Sequence, residues 1–397
     1  MTHINIKEIL WKLHIDSLTA MQQTTVEEYR KGKDLVLLSP TGSGKTIAYL
    51  LPLVQSLKNE NVLQAVVLVP SRELALQIEQ VFKSMGTGIP VMSCYGGRPA
   101  MDEHRTMKSL NPQVIIGTPG RMNDHLNKGN IDASHVHTLV IDEFDKCLEM
   151  GFQEEMSEVI AQIPYLKRRF LLSATDAPAI PRFVSEGDFL KLNFLEDEEQ
   201  IPERIKVYTV KSPEKDKLEV LSKLLCYLGD KSSLVFVNYR ESVERVYRYL
   251  LQAGISCEMF HGGMEQKDRE RALYKFSNGS CNVFVSTDLA ARGLDIPNID
   301  HVIHYHLPLN EDAYIHRNGR TARWDASGNV FLILGPEEYL PEFIQQIPED
   351  YVWEGPKPDP AKPQWVTLYI GKGKKDKINK VDIVGFLSKV GGLGKSD

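Results

Sequence analysis

The sequence has few cysteines, and none of them forms a short-spaced pair. The five are Cys94, Cys147, Cys226, Cys257 and Cys281. Without a Cys-x-x-Cys spacing they indicate neither a zinc site nor a dithiol redox site. The chain also lacks an apolar run of about 18 residues, and its first residues are not a basic segment followed by an apolar one. We therefore expect reduced, mostly buried cysteines, no membrane span and a cytoplasmic protein.

Positive charge is not in excess either. The formal net charge is −6 over 397 residues, of which 42% are hydrophobic and 25% charged, as is ordinary for globular proteins. Bulk attraction to nucleic acid is therefore not expected, and any such binding depends on localised groups. The strongly basic exception is the stretch 362–397, whose eight lysines and three aspartates give a net charge of +5.

Short β-branched runs, each followed by an amphipathic stretch, indicate parallel sheets covered by helices on both faces. The runs lie at 34–38, 65–69, 114–117, 138–141 and 170–173, and then at 205–210, 234–237, 283–286, 302–306 and 330–334. An acidic segment at 195–200 separates the two series. The pattern predicts an α/β fold with two domains, at residues 1–197 and 204–346, and a linker near 196–203.

Residues 39–46 follow the first of these runs and precede an apolar helical stretch. Gly42 and Gly44 allow backbone N–H groups to turn toward phosphate oxygens, and Lys45 brings a positive charge to the β- and γ-phosphates. The Thr46 hydroxyl can coordinate Mg²⁺. At the first position Ser39 replaces the Gly of the general phosphate loop. The segment predicts an ATP site, and a Gly-rich strand-to-helix turn is the alternative if the segment is taken alone.

An acidic segment at 142–145 comes directly after the run 138–141, at the strand end where parallel sheets bind ligands. We expect Asp142 to hold Mg²⁺ and Glu143 to orient and deprotonate the attacking water. A solvated loop start is the alternative for this segment alone.

Three arginines, Arg317, Arg320 and Arg323, are spaced by three residues, which aligns guanidinium groups on one side of a helix. We expect Arg320 and Arg323 to face the γ-phosphate from the second domain, opposite Lys45, so that hydrolysis requires the domains to close. A basic, solvated helix face is the alternative.

From about residue 14 to residue 335 the chain resembles the DEAD-box ATP-dependent RNA helicases, whose motifs occur here in order and spacing. The matching segments are Gln22 with 39–46, 70–75, Gly96 with Gly97, 118–121, 142–145, 173–175, Gln266 with Arg269, 286–295 and 316–323. The resemblance implies two tandem RecA-like domains with parallel sheets, which share one ATP and clamp an RNA strand.

The resemblance also implies roles for individual residues. Gln22 is expected to read the adenine edge and Asp295 to lie near the ribose. The other expected ATP contacts are Ser39, Pro40, Thr41, Gly42, Ser43, Gly44, Lys45 and Thr46. The expected RNA contacts are Pro70, Arg72, Gly97, Thr118, Gly120, Arg121, Gln266, Arg269, Thr287 and Arg292. The residues expected to couple ATP state to RNA binding are Ser173, Ala174, Thr175, His316 and Arg317.

The sequence departs from the family pattern at two places. Phe144 stands where the family name implies Ala, a change that leaves both catalytic carboxylates in place. His14, Ile15 and Leu18 stand where the family usually has Gly, an aromatic residue and Pro, so adenine selectivity is less strongly indicated than phosphate chemistry.

Several of the RNA segments have the pattern of helix N-termini, which bind phosphate. Ser71, Thr118 and Thr287 are predicted N-caps, and an arginine lies near each of them. Such contacts go to phosphate and sugar, so we expect binding without base preference, with RNA distinguished from DNA through the 2′-OH.

After about residue 346 the chain changes character. Closely spaced prolines predict an extended linker over 347–363. Residues 366–370 alternate like a strand, and Ile383, Val384, Leu387 and Val390 share one side of a predicted helix. The segment 364–397 resembles the start of the RRM-like domain in the DbpA subgroup of bacterial DEAD-box proteins, which is associated with 23S ribosomal RNA and large-subunit assembly. A lysine-rich disordered tail is the alternative.

The sequence thus predicts a monomeric, RNA-dependent ATPase that separates short duplexes, with ATP and Mg²⁺ as cofactors and ribosomal RNA as the expected partner. An ATP-gated RNA clamp with little unwinding is the alternative that the sequence leaves open. A DNA translocase is disfavoured by the RNA-type motif set.

Overall fold

A computed structural model describes residues 5–40, 42–97, 99–175, 180–184, 187, 189–195, 205–291, 299–321, 327–344, 348–373 and 376–394. The predicted linker near 196–203 lies outside these residues. So do four predicted site residues, Thr41, Arg292, Asp295 and Arg323.

The first domain is a parallel sheet with strand order β3-β4-β2-β5-β6-β1-β7. Its strands are β1 (Asp34–Leu38), β2 (Ala65–Leu68), β3 (Val91–Cys94), β4 (Val114–Gly117), β5 (Thr138–Ile141), β6 (Arg168–Ser173) and β7 (Phe189–Asn193). Its helices are α1 (Ile6–Lys12), α2 (Ala20–Arg30), α3 (Lys45–Ser56), α4 (Arg72–Ser84), α5 (Ala100–Leu110), α6 (Pro119–Asn127), α7 (Phe144–Glu149) and α8 (Gln153–Ala161).

The second domain repeats this order as β10-β11-β9-β12-β13-β8-β14. Its strands are β8 (Ile205–Lys211), β9 (Ser233–Phe236), β10 (Cys257–Phe260), β11 (Val283–Ser286), β12 (His301–His304), β13 (Gly328–Leu334) and β14 (Glu349–Asp350). Its helices are α9 (Leu218–Leu228), α10 (Arg240–Gln252), α11 (Gln266–Ser277), α12 (Asp288–Ala291) and α13 (Glu311–Asn318), and α14 (Lys380–Lys389) follows. The predicted α/β fold with two tandem RecA-like domains is confirmed.

Each sheet separates two apolar cores because successive side chains of a strand point to opposite faces. In β1, Leu35 and Leu37 pack into one core, and Val36 and Leu38 pack into the other. The central strands are therefore buried on both sides, as their continuous apolar runs predict.

The second sheet continues beyond residue 346, where the sequence analysis placed the domain boundary. Strand β14 pairs in parallel with β8, so that Glu349 lies opposite Tyr208. The Tyr351 ring then packs 5.5 Å from Phe331 and 5.1 Å from Trp353. These aromatic contacts attach the start of the proline-rich segment to the second domain.

Further along, the chain returns to the end of α11. The Thr367 hydroxyl bonds Asn278 at 2.9 Å and Ser280 at 2.7 Å, and the Arg271 guanidinium lies 5.0 Å from the Tyr369 ring centroid. The predicted strand at 366–370 does not form. A strand needs a pairing partner, and among the described residues no strand lies beside this segment.

The predicted C-terminal helix does form, as α14. Asn379 caps it through a capping box with Asp382. Its apolar side chains are at least partly exposed, including Val381 at 77% and Val384 at 52%. Across the described part of the chain, no helix combines the length and apolar character needed to cross a membrane.

Candidate nucleotide and RNA site

The phosphate loop between β1 and α3 has the backbone that its glycines predict. Gly42 and Gly44 have φ values of 89° and 90°, in the left-handed region that glycine adopts at little cost. Lys45 begins α3, and its Nζ donates to the carbonyl oxygens of Ser39 and Pro40, the latter at 2.5 Å. A positive side chain is thus held over the loop at a helix N-terminus, where anions bind.

Gln22 supports this loop from α2. Its Oε1 accepts from the backbone N–H of Thr19 at 3.0 Å, which completes a capping box, and its Nε2 donates to the carbonyl of Gly44 at 3.2 Å. A Cβ at Gly44 would lie 2.5 Å from that amide nitrogen, so a larger residue cannot occupy position 44 without displacing Gln22. The adenine contact of Gln22 stays a prediction.

Asp142 and Glu143 lie at the carboxyl end of β5, beside the phosphate loop. The Glu143 N–H donates to Asp142 Oδ1 at 2.9 Å, and Glu143 has a left-handed backbone with φ of 50°. Burial raises the pKa of Asp142 to about 6, and the Lys45 charge opposes that rise. A buried carboxylate beside the phosphate loop suits Mg²⁺, a hard cation that prefers oxygen ligands, so Asp142 and Thr46 fit the predicted metal site.

Glu143 has the character of a general base. Its Oε2 is buried and has no hydrogen-bond partner among the described residues. Burial raises the pKa of Glu143 to about 7, and the Arg320 charge is the main influence that opposes the rise. A base with a pKa near neutrality suits proton abstraction at physiological pH.

Residues from both domains meet at this point. The Thr175 hydroxyl donates to Asp145 Oδ2 at 3.1 Å, and His316 Nε2 of α13 lies 4.0 Å from the same oxygen. Arg320 follows α13, is 4% exposed and is close enough to Glu143 to influence its pKa. Predicted coupling residues from both domains therefore meet at Asp145, while Ser173 and Ala174 end β6 and lead into Thr175.

Arg317 has a different environment from its neighbours in the motif. It is 1% exposed, and its guanidinium donates to Asp288 at 2.5 and 2.6 Å, to Asn238 at 2.8 Å and to the His306 carbonyl at 2.7 Å. All of these partners belong to the second domain. These contacts therefore hold that domain together, and the predicted role of Arg317 in coupling stays a prediction.

The predicted RNA segments of the first domain lie side by side at the carboxyl ends of β2, β3 and β4. Ser71 caps α4 by accepting from Leu74 N at 3.2 Å, as predicted. Gly97 has φ of 96°, and a Cβ there would collide with the Arg72 guanidinium. Pro70 ends the strand segment before Ser71.

The two remaining predicted N-caps are Thr118 and Thr287. Thr118 occupies the N-cap position of α6, with Gly120 and Arg121 in the first turn, but its side chain makes no capping bond. Thr287 directly precedes the short helix α12, and its carbonyl accepts from Ala291 N at 3.0 Å. Both threonines lie at helix N-termini as predicted, and the Thr118 side chain does not provide the predicted cap.

Gln266 and Arg269, predicted to contact RNA from the second domain, contact the first domain. Gln266 Oε1 accepts from Arg72 at 3.3 Å, and Arg269 forms an ion pair with Glu73 at 2.9 Å. Arg269 has a side-chain exposure of 12% and Glu73 of 6%, so this pair is shielded from solvent. We name these contacts between α4 and α11 the interdomain bridge.

A second set of residues, which was not predicted from the sequence, mirrors the predicted RNA segments of the first domain. Arg240 begins α10 after β9, as Arg72 begins α4 after β2. Its guanidinium lies 3.4 Å from the Cβ position of Gly262, in the loop after β10. The signal was in the sequence, because Arg-Glu followed by an aromatic residue and Gly-Gly occurs in both halves.

Comparisons with known proteins agree with this geometry. Residues 19–181 match the DEAD/DEAH box helicase family, and residues 216–325 match the helicase conserved C-terminal domain family. The ATP-dependent RNA helicase DbpA of Bacillus subtilis is 30% identical, over 96% of this chain and 86% of that protein. The ATP-dependent RNA helicase CshA of Listeria monocytogenes is 35% identical over 82% of this chain, which spans 64% of that protein's length.

A solved structure of S. cerevisiae Dbp5 bound to RNA and ADP BeF3 superposes with a TM-score of 0.74. It is 26% identical, and the match covers 83% of this chain and 88% of that chain. Both domain families are matched in order, and a relative at 30% identity is covered over most of its length. The chain therefore belongs to the DEAD-box family of ATP-dependent RNA helicases.

Proposed function

We propose that this protein couples ATP hydrolysis to clamping of an RNA strand and local separation of duplexes. The observation that supports this most is that Thr175 of the first domain and His316 of the second approach the same carboxylate oxygen of Asp145, two residues after Glu143. Lys45 would hold the β- and γ-phosphates, and Thr46 and Asp142 would hold Mg²⁺, which neutralises phosphate charge when it is bound. Glu143 accepts the proton of the attacking water, and Arg320 stabilises the charge that develops.

Domain closure links this chemistry to RNA. Asp145 carries the link, since Thr175 and His316 approach the same oxygen from different domains. The interdomain bridge adds a second connection beside the RNA segments. We infer that ATP and RNA each favour the closed arrangement, so each ligand promotes binding of the other.

RNA would cross both domains along the carboxyl ends of the strands. In the first domain the contacts come from Arg72, Gly97 and the N-terminus of α6. In the second domain we assign Arg240 and the Gly262–Gly263 turn the same role, because they repeat the first arrangement. Contacts of this kind go to phosphate and sugar, so the core should accept any base sequence.

We propose that the natural target is ribosomal RNA of the large subunit. We also propose that the enzyme is a monomer and acts in the cytoplasm. The resemblance to the DbpA subgroup supports the target, and the match to the Bacillus protein covers 96% of the chain and so reaches into the basic stretch 362–397. An RRM-like role of that stretch belongs to the same proposal.

The test is to measure phosphate release and duplex release in the same reaction, with RNA and DNA of equal length as stimulants. We expect RNA to stimulate ATP hydrolysis and short RNA duplexes to separate. Hydrolysis with intact duplexes would favour an ATP-gated clamp, and equal stimulation by DNA would contradict the assignment to RNA. For the target, a 23S hairpin should stimulate more than an unrelated RNA. Equal stimulation would contradict the ribosomal assignment for this chain.

A further inference from the structure

A buried polar cluster lies behind the RNA segments of the first domain. It consists of Glu103 of α5, Arg121 and His125 of α6, and the backbone of Tyr95 after β3. Glu103 Oε1 accepts from Tyr95 N at 3.1 Å. The other oxygen, Oε2, accepts from His125 Nε2 at 2.9 Å and lies 3.3 Å from Arg121 Nη1. Glu103 is 5% exposed and His125 is fully buried.

The partners of Glu103 come from two separate segments, the loop after β3 and the helix α6. Tyr95 directly precedes Gly96 and Gly97, and Arg121 lies in the first turn of α6. One carboxylate therefore fixes the Gly-Gly turn and the α6 N-terminus relative to each other. His125 is itself held on its other side, where Nδ1 accepts from Asn130 Nδ2 at 3.2 Å, which leaves Nε2–H to donate to Glu103.

Charge explains why these residues occur together. A buried carboxylate without a cation is unstable, and Arg121 supplies the compensating charge. The carboxylate in turn restricts the rotamers of Arg121 before RNA binds. Less rotamer entropy is then lost when Arg121 binds a phosphate. Arg121 has a side-chain exposure of 12%, so it is held largely within the protein beside the predicted RNA surface.

The same place resembles a metal site, because Cys94, Glu103 and His125 each offer a ligand atom within 4.8 Å of the others. Two features oppose a metal there. The Arg121 guanidinium already lies against the carboxylate, and His125 directs a proton at it. Burial also raises the pKa of the Cys94 thiol well above its usual range, which disfavours the thiolate that a metal requires.

We propose that Glu103 is a positioning residue for RNA binding, which acts by holding Arg121 and the Gly96–Gly97 turn in one arrangement. The proposal rests on the proposed function, because it takes Arg121 to contact RNA phosphate. Glu103 itself does not touch RNA or nucleotide.

The experiment measures the RNA concentration that gives half-maximal ATPase stimulation. Glu103→Gln keeps an acceptor for Tyr95 but removes the charge opposite Arg121, and we expect this concentration to rise about tenfold. We expect the RNA concentration at half-maximal stimulation to change more than the turnover rate at saturating RNA. Glu103→Asp keeps the charge and shortens its reach, so it should fold readily and give a smaller rise in the same direction.

A double-mutant cycle with Arg121→Ala separates positioning from general damage. If Glu103 acts through Arg121, then Glu103→Gln adds little once Arg121 is removed. The matched control is Glu79→Gln, a largely buried carboxylate of α4 that bonds Ser93 and Lys83 in the same domain. We expect this control to leave RNA half-saturation unchanged.

Three results would overturn the proposal: unchanged half-saturation in both Glu103 variants, additive effects in the cycle, or an equal rise in the Glu79 control. Tight Zn²⁺ binding by the wild-type protein that disappears in Glu103→Gln would also overturn it, because the cluster would then be a metal site. Failure of the proposed function gives a different result, since RNA would not stimulate the wild-type protein at all.

Discussion

Glu143 combines a buried carboxylate with a left-handed backbone, two features that each cost stability. Non-glycine residues in this region are held there by their surroundings and often lie at functional sites. Here the Glu143 N–H donates to Asp142, and the Glu143 carbonyl accepts from Lys146 and Cys147, which starts α7. These hydrogen bonds hold the backbone of Glu143 in the left-handed conformation at the start of α7.

Glu143→Gln should lower RNA-stimulated turnover by about 10²–10⁴-fold while ATP and RNA still bind, because the amide keeps the shape but cannot accept the water proton. The measurement is steady-state phosphate release together with nucleotide affinity. Glu154→Gln, an exposed carboxylate of α8, serves as the control. Turnover within a few-fold of the wild-type rate would show that Glu143 is not the base.

His14 is another residue with a left-handed backbone, at φ of 57°. His14 stands where the resemblance places a Gly in related helicases. Its backbone has the left-handed conformation that glycine adopts readily, although the residue is His. A side chain in this region costs about 1–2 kcal/mol relative to the right-handed conformation.

His14→Gly should therefore raise the free energy of unfolding by up to about 1 kcal/mol, since part of the relieved strain is offset by the extra freedom of glycine in the unfolded chain. Urea titration of the purified protein measures this. His14→Ala retains the Cβ and should give no such increase. A stability gain in the alanine variant equal to that in the glycine variant would mean that the side chain, and not the backbone, causes the strain.

At the level of secondary structure elements, α13 is attached to the second sheet by buried polar contacts. His304 of β12 lies between Asn318, at 2.9 Å from its Nε2, and Arg317, at 3.3 Å from its Nδ1. Burial, together with a smaller contribution from the Arg317 charge, lowers the pKa of His304 to about 3. The helix that carries His316 therefore packs against an imidazole that stays neutral in the folded protein.

The second domain should lose stability as the pH falls from about 6.5 toward 3. In that window the unfolded His304 takes up a proton and the folded one does not, so its contribution is fully present above about pH 6.5. His304→Gln should make the free energy of unfolding less dependent on pH, by up to about 1.4 kcal/mol per pH unit. The exposed His135→Gln provides the control, and equal slopes for wild type and His304→Gln would contradict the assignment.

Ten of the eleven segments predicted as strands form strands, and the four strands of the described residues that were not predicted, β3, β7, β10 and β14, are the sheet edges. Central strands are buried on both faces and need continuous apolar runs, which a sequence displays. Edge strands tolerate polar residues, as Phe-Leu-Lys-Leu-Asn of β7 shows. Residues 366–370 were predicted as a strand because apolar and polar residues alternate there, and they do not form one. Such alternation indicates a strand only where a partner strand is present.

Whether a site feature could be predicted also depends on whether its residues are close in the sequence or only in the fold. The phosphate loop and the acidic segment were predictable, because each lies within a few consecutive residues with its own chemistry. The pairs Glu73–Arg269 and Glu103–Arg121 were not, because each joins residues that only the tertiary fold brings together. Arg240 falls between these cases, since an internal repeat of the sequence indicates it although it lies outside the family motifs named above.

For the whole molecule, the interdomain bridge couples two domains that also meet where His316 approaches Asp145. We predict that Glu73→Ala and Arg269→Ala each lower RNA-stimulated turnover about fivefold or more, because each leaves a buried charge unpaired in the closed arrangement. The double variant should be no worse than either single one, since contacting residues are coupled. Asp268→Ala, on the exposed side of α11, is the control. Multiplicative losses in the double variant would show that the two residues act independently, with Arg269 acting on RNA directly.

The return of the chain to α11 has a consequence for how a substrate is delivered. Thr367 and Tyr369 anchor the chain to the helix that carries Gln266 and Arg269, so the basic residues that follow begin a short distance from the interdomain bridge. If the following segment binds RNA, as proposed, the bound RNA is tethered, and its neighbouring nucleotides meet the core at an effective concentration on the order of millimolar. After capture, the encounter of the RNA with the core is intramolecular, and its probability depends on the length of chain between Tyr369 and the bound RNA.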